Sequence, residues 1–142
     1  MAERVRVGSG APWEASVGYS RAVRVGHHVA VAGTTATAPD GTVLCPGDAH
    51  GQAIAALEII EHALGRVGAS MADVVRTRVY LVRIEDFDAV GRAHGSVFGE
   101  IRPASTMIQV AGLVDTAHLV EIEVDAIVGI ARASGQRDGL DN

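Results

Sequence analysis

The stretch Val120-Glu121-Ile122-Glu123-Val124-Asp125-Ala126, inside the longer run 119–128, alternates apolar and acidic residues with period two. Successive side chains of a strand point to opposite faces of its sheet. Val120, Ile122, Val124 and Ala126 therefore share one face, and Glu121, Glu123 and Asp125 share the other. The run 74–82 follows the same rule, with Val75, Thr77, Val79 and Leu81 opposing Arg76, Arg78 and Tyr80. In 105–111, Thr106, Ile108 and Val110 oppose Ser105, Met107 and Gln109. The apolar sets predict a sheet covered on one face by helices, with Ser105, Met107 and Gln109 joining the carboxylates on the other. Two readings of that polar face stand. It is a solvated antiparallel surface with cross-strand charge pairs, or it meets other subunits and lines a pocket between them.

Working outward, residues 21–25 and 28–33 predict two short strands joined at Gly26-His27. Pro39-Asp40-Gly41-Thr42 is a turn, since proline presets φ and glycine accepts positive φ. In 48–67, Ile54, Leu57, Ile60, Leu64 and Val67 fall on one helical face, with Asp48 as N-cap and Gly68 as the stop. Residues 86–98 predict a second helix whose face carries Phe87, Gly91, His94, Gly95 and Phe98, the two glycines allowing close backbone approach. Residues 8–13 read as loop, and a further loop surrounds Asp115. The predicted order is ββ-α-β-α-ββ, an α+β sheet with both helices on one face.

The 142 residues carry 17 acidic and 12 basic side chains, a formal net charge of −5. That length predicts a single domain over 1–131, and the polar, glycine-containing 132–142 reads as a flexible tail. No run approaches the ~18 apolar residues of a membrane helix, and the N-terminus lacks an apolar signal region. With one cysteine, Cys45, no intramolecular disulfide can close, so a cytoplasmic protein is expected. The acidic balance argues against nucleic acid as a partner, because counterion displacement needs clustered Lys and Arg. Hydrophobic residues make up 48% of the chain but aromatics only 4%, with 23 Ala and 20 Val. So much small apolar surface predicts an oligomer.

Common catalytic signatures are missing. The six histidines (27, 28, 50, 62, 94, 118) show no ligand spacing, so no metal is expected. There is no phosphate loop and no nucleophile elbow. Tyr19 and Trp13, two of five aromatics, precede the first strand pair and could form a pocket lip or anchor the core.

An ordered set of short matches does point to a family. Val17-Gly18-Tyr19-Ser20, Gly33 closing a strand, Asp40-Gly41, Gly68-Ala69-Ser70 leading into Val74-Val75-Arg76-Thr77, Arg102-Pro103-Ala104 and Val120-Glu121-Ile122-Glu123 together resemble the Rid (reactive intermediate deaminase, YjgF-like) family. The likeness runs from about Tyr19 to Val128. It implies a chorismate-mutase-like α+β fold, a homotrimer with a barrel-like sheet core, and pockets between subunits. It also implies cofactor-free hydrolysis of small-molecule enamines and imines, such as those from amino-acid dehydration, to a keto acid and ammonium. Carried over residue by residue, Tyr19 matches a pocket tyrosine and Glu123 the glutamate associated with the attacking water.

Other positions diverge. Ser105 stands where the family's carboxylate-binding arginine is expected, Ala32 where a serine is, Met107 where cysteine is frequent, and Gly91 where an asparagine is. Ser105 offers one neutral donor in place of a charged fork, so a neutral or apolar substrate suits the pocket better. The resemblance thus implies a divergent branch. Its catalytic residue is Glu123, its substrate-contacting residues are Tyr19, Gly33, Ser105, Met107, Gln109 and Trp13, with Glu14 near the mouth, and Arg78 or Arg102 is the alternative cation. The competing expectation is a non-catalytic ligand-binding or interaction trimer. Ribonuclease activity, attached by name to the family, fits the acidic chain least.

Overall fold

The structure, a computed structural model, describes residues 3–129. The tail expected over 132–142 lies outside the described residues. Strands β1 (Arg4–Val7), β2 (Ala22–Val25) and β3 (His28–Thr34) come first, then helix α1 (Ala49–Arg66). Strand β4 (Val74–Leu81), helix α2 (Phe87–Phe98) and strands β5 (Ala104–Gln109) and β6 (Val120–Ile127) complete the chain. The six strands form one mixed sheet in the order β1-β2-β3-β6-β4-β5. Only β4 and β5 run parallel, joined by the crossover through α2; the other pairs are antiparallel.

Both helices cover one face, as the alternation in β6 predicts. Val120, Ile122, Val124 and Ala126 are buried with Val29, Val31, Val79 and Leu81 beneath Ala53, Ala56, Leu57, Ile60 and Leu64 of α1. The small alanines let α1 lie close over β3 and β6, with α2 beside it. Asp48 caps α1, its carboxylate accepting from the Gly51 N–H at 2.9 Å, a contact worth about 1 kcal/mol at an N-cap. At the other end Gly68 takes φ 78°, and Arg24 donates to the Val67 carbonyl at 2.8 Å. A cation there complements the helix dipole.

Four expectations need correction. Strand β1 is an added edge strand that the predicted order lacks. Val75 does not join the covered face: the β4–β6 register shifts between Val74 and Arg76, and Val75 is 44% exposed. The buried face of α2 carries Val90, Ala93 and Phe98 rather than Gly91 and Gly95, and neither glycine has a neighbour within 4 Å of an added Cβ. Phe87 is 48% exposed.

The fourth concerns β5. Its register pairs Thr77 with Ser105, Val79 with Met107 and Leu81 with Gln109. Paired residues share a face, so Ser105, Met107 and Gln109 lie on the helix side of the sheet, opposite Glu123. An edge strand exposed along most of its length offers no hydropathy signal to choose between its two faces.

Candidate active site

The uncovered sheet face begins at the charged stripe of β6. Glu121, Glu123 and Asp125 stand opposite Tyr80, Arg78 and Arg76 of β4. The Tyr80 hydroxyl donates to Glu123 Oε1 at 2.5 Å. That hydrogen bond, reinforced by burial, pushes the Tyr80 phenol above its usual pKa, so tyrosine holds its proton for Glu123. The Arg78 guanidinium lies 3.2 Å from Asp125 and 3.8 Å from Glu123. Arg78 is therefore a counter-ion to these carboxylates. Arg102 instead occupies a left-handed turn (φ 53°) ahead of β5, next to Pro103.

A second set of contacts starts at the loop before β2. The Glu14 carboxylate accepts from the Ser9 backbone N–H and from the Ser9 hydroxyl, which folds 9–14 back on itself ahead of a π-helical turn, Glu14–Gly18. Tyr19 follows this turn, 37% exposed. A cleft of about 280 Å³ opens here between Arg6, Gly8, Glu14, Tyr19 and Ser20. Trp13, 59% exposed, stands at the head of the turn and does not line that cleft.

Arg21 joins Tyr19 to the sheet. Its guanidinium carbon lies 5.9 Å from the Tyr19 ring centroid, within cation–π range. It donates to the Gly33 carbonyl at 2.9 Å and to Thr34 Oγ1 at 3.0 Å. Gly33 falls where the β3–β6 register shifts between Val31 and Thr34. A Cβ on Gly33 would stand 2.8 Å from Glu121 Oε1, so the bare backbone is what lets this carboxylate approach. Glu121 is half-buried, and burial pushes its carboxyl upward, with Glu123 adding to the effect and Arg21 and His118 opposing it. His118 is fixed in turn by Thr37, its Nε2 3.0 Å from the hydroxyl. Fully buried Gln52 of α1 anchors the preceding loop, bonding the Ala117 carbonyl and the Leu119 N–H.

The predicted site residues thus divide. Tyr19, Gly33 and Glu123 belong to one continuous stretch of the uncovered side, linked through Arg21 and Glu121. Ser105, Met107 and Gln109 lie on the other side of the sheet. There Thr77 Oγ1 donates to the Ser105 hydroxyl at 2.7 Å and lies 2.8 Å from His94 Nε2. Burial lowers the pKa of His94, and its ring packs on Phe98 at 4.7 Å. Sequence reasoning overlooked Arg21. The signal was available, because Ala22 is apolar and Arg21, one residue earlier, falls in phase with the polar face.

This combination of fold and polar strand is that of a known family. Residues 9–128 match the Endoribonuclease L-PSP family model, and the chain belongs to this family, also called YjgF/RutC/Rid. In the crystal structure of a Mycobacterium tuberculosis member of the YjgF/YER057c/UK114 family, the matching chain is 47% identical with a TM-score of 0.81. The match covers 89% of this chain and 100% of that one. The 3-aminoacrylate deaminase RutC of Acinetobacter baylyi is 34% identical over 104 residues, 73% of this chain and 82% of the relative. The 2-iminobutanoate/2-iminopropanoate deaminase of Rattus norvegicus is 33% identical over 117 residues, 82% and 85% of the two chains. Among the described residues no helix is long and apolar enough to cross a membrane.

Proposed function

We propose that this protein hydrolyses small imines or enamines in a pocket shared between protomers of a homotrimer. The carrying observation is Glu123, held by the Tyr80 hydroxyl on an uncovered sheet face beside Arg78. A carboxylate so fixed can accept a proton from water as that water attacks a C=N carbon. Tyr19 and Gly33 border the same stretch. The names of the two deaminases above support this class of substrate.

The geometry supports a pocket built from two protomers. Ser105, Met107 and Gln109 lie on the opposite side of the sheet from Glu123, so one pocket holding both sets takes them from different chains. The uncovered face also carries Val23, Ala30 and Ala32, apolar side chains that burial against other copies would stabilise. The proposed working form is a cytoplasmic trimer without cofactor or nucleic-acid partner, and Trp13 is placed at the pocket rim.

Ser105 defines the substrate preference. It occupies the position where the family resemblance places a carboxylate-binding arginine, and its hydroxyl is tied to Thr77. A neutral imine is therefore preferred over an amino-acid-derived one. Ammonium release from freshly generated 2-iminobutanoate and from an uncharged imine tests this. Turnover is expected on both, with higher kcat/KM for the uncharged substrate. Ser105→Arg is expected to raise kcat/KM on 2-iminobutanoate by about tenfold or more, the worth of a charge-assisted bond. No release from either substrate contradicts the hydrolase reading. Saturable binding without ammonium then supports the second reading, a ligand-binding trimer, which the serine at the arginine position favours.

A further inference from the structure

We infer that His94, Thr77 and Ser105 form a one-way hydrogen-bond relay that leaves the Ser105 proton for the substrate, so that this end of the pocket takes an uncharged carbonyl oxygen. Ser105 touches the substrate, and Thr77 and His94 act through it as positioning residues. The inference rests on the hydrolase reading and names the substrate group that Ser105 selects.

Thr77 sets the direction. Its side chain is fully buried opposite Ser105 in the β4–β5 register, and a buried hydroxyl has a single proton to give. That proton goes to the Ser105 hydroxyl at 2.7 Å. Thr77 Oγ1 also lies 2.8 Å from His94 Nε2, and with its proton committed it can only accept there. Nε2 therefore carries hydrogen. Packing on buried Phe98, 4.7 Å between centroids, holds the His94 ring in place on α2. Burial lowers the His94 pKa, so at neutral pH the ring is the uncharged Nε2–H tautomer.

Donation thus runs from His94 to Thr77 to Ser105. Ser105 is exposed in the protomer, and among the described residues its own proton meets no acceptor. A chain of hydrogen bonds polarises its members, which strengthens the terminal donor. Activation of a serine as nucleophile needs the reverse order, with Nε2 bare and accepting. An arginine fork suits a carboxylate, whereas one neutral donor suits one neutral acceptor. Beside a C=N carbon, such an acceptor is the carbonyl oxygen of an ester or amide. A substrate lacking it leaves the Ser105 proton unpaired once a second protomer closes the pocket, and an unmade bond costs affinity.

Two measurements test the relay. In 15N-labelled protein at pH 8, long-range 1H–15N spectra of His94, assigned by its loss in His94→Gln, are expected to show Nε2 protonated and Nδ1 bare. This tautomer is read in the folded parent and decides the direction whatever the variants do. Ammonium release is then compared for the imine of methyl pyruvate, which carries an ester carbonyl, and the imine of butanone, which carries none. Thr77→Val keeps the shape and removes the hydroxyl. His94→Phe keeps a ring on Phe98 and removes Nε2. Each is expected to lower the ester-over-butanone ratio of kcat/KM by about 2- to 10-fold, the worth of one neutral hydrogen bond, through a higher KM for the ester. His94→Gln, whose amide N–H reaches the place of Nε2, is expected to restore the ratio. An Nδ1–H tautomer with Nε2 bare, or a ratio that Thr77→Val leaves at the parental value, overturns the relay while leaving the hydrolase in place. A parent that releases no ammonium from either imine overturns both.

Discussion

Glu123→Gln is expected to lower the rate of ammonium release by about 10²- to 10⁴-fold, the range that a positioned general base contributes. The side-chain amide keeps the shape and still accepts from Tyr80 through its carbonyl oxygen, so the β4–β6 pairing has no reason to change. What disappears is the ability to take a proton from water. The loss is therefore expected in kcat, with KM, secondary structure and oligomeric state unchanged. Retained turnover in a well-folded variant would remove Glu123 from the proposed role.

Ala30→Glu is the second change with a large expected effect. Ala30 is exposed in the protomer and sits directly across from Asp125 in the register of β3 and β6. A glutamate there places like charges opposite one another on the face proposed to meet other copies. In an isolated protomer the new side chain can extend into water, and the core on the other face is untouched. In an assembled trimer it would be buried among carboxylates, and an unpaired buried charge is strongly destabilising. Sedimentation at micromolar concentration is expected to show dissociation to monomers, with turnover lost in parallel. A variant that stays trimeric and active would place the interface elsewhere.

Much of this architecture was legible because burial writes itself into alternation. In β6 every second residue is buried, from Val120 to Ala126, and α1 begins and ends where Asp48 and Gly68 predict. Strand β1 was not legible, since Arg4-Val5-Arg6-Val7 is a four-residue edge strand with little buried surface. In α2 the expected face and the buried one share Phe98, but Val90 and Ala93 pack inward where Phe87, at the first turn, stays exposed.

The site was harder for a related reason. Period two divides a strand into two sets but does not say which set faces the helices. In β6 the apolar set answers the question. In β5 both sets are mixed and mostly exposed, and only the register against β4 places Ser105 and Met107 beside Thr77 and Val79. Glu121 and Glu123 look equivalent in sequence. Their difference comes from Gly33, Arg21 and Tyr80, residues 43 to 100 positions away that only the fold brings near.

Subunit complementation tests the shared pocket most directly. Glu123→Gln and Met107→Trp alter opposite faces of one protomer, the first removing the proposed base and the second filling the proposed pocket. Each variant alone is expected to be inactive on an uncharged imine. Mixed, denatured together and refolded at equal concentration, they are expected to regain about a quarter of parental turnover, because in a randomly mixed symmetric trimer one interface in four pairs an intact Glu123 with an intact Met107. A mixture that stays as inactive as its components contradicts a site built from two protomers.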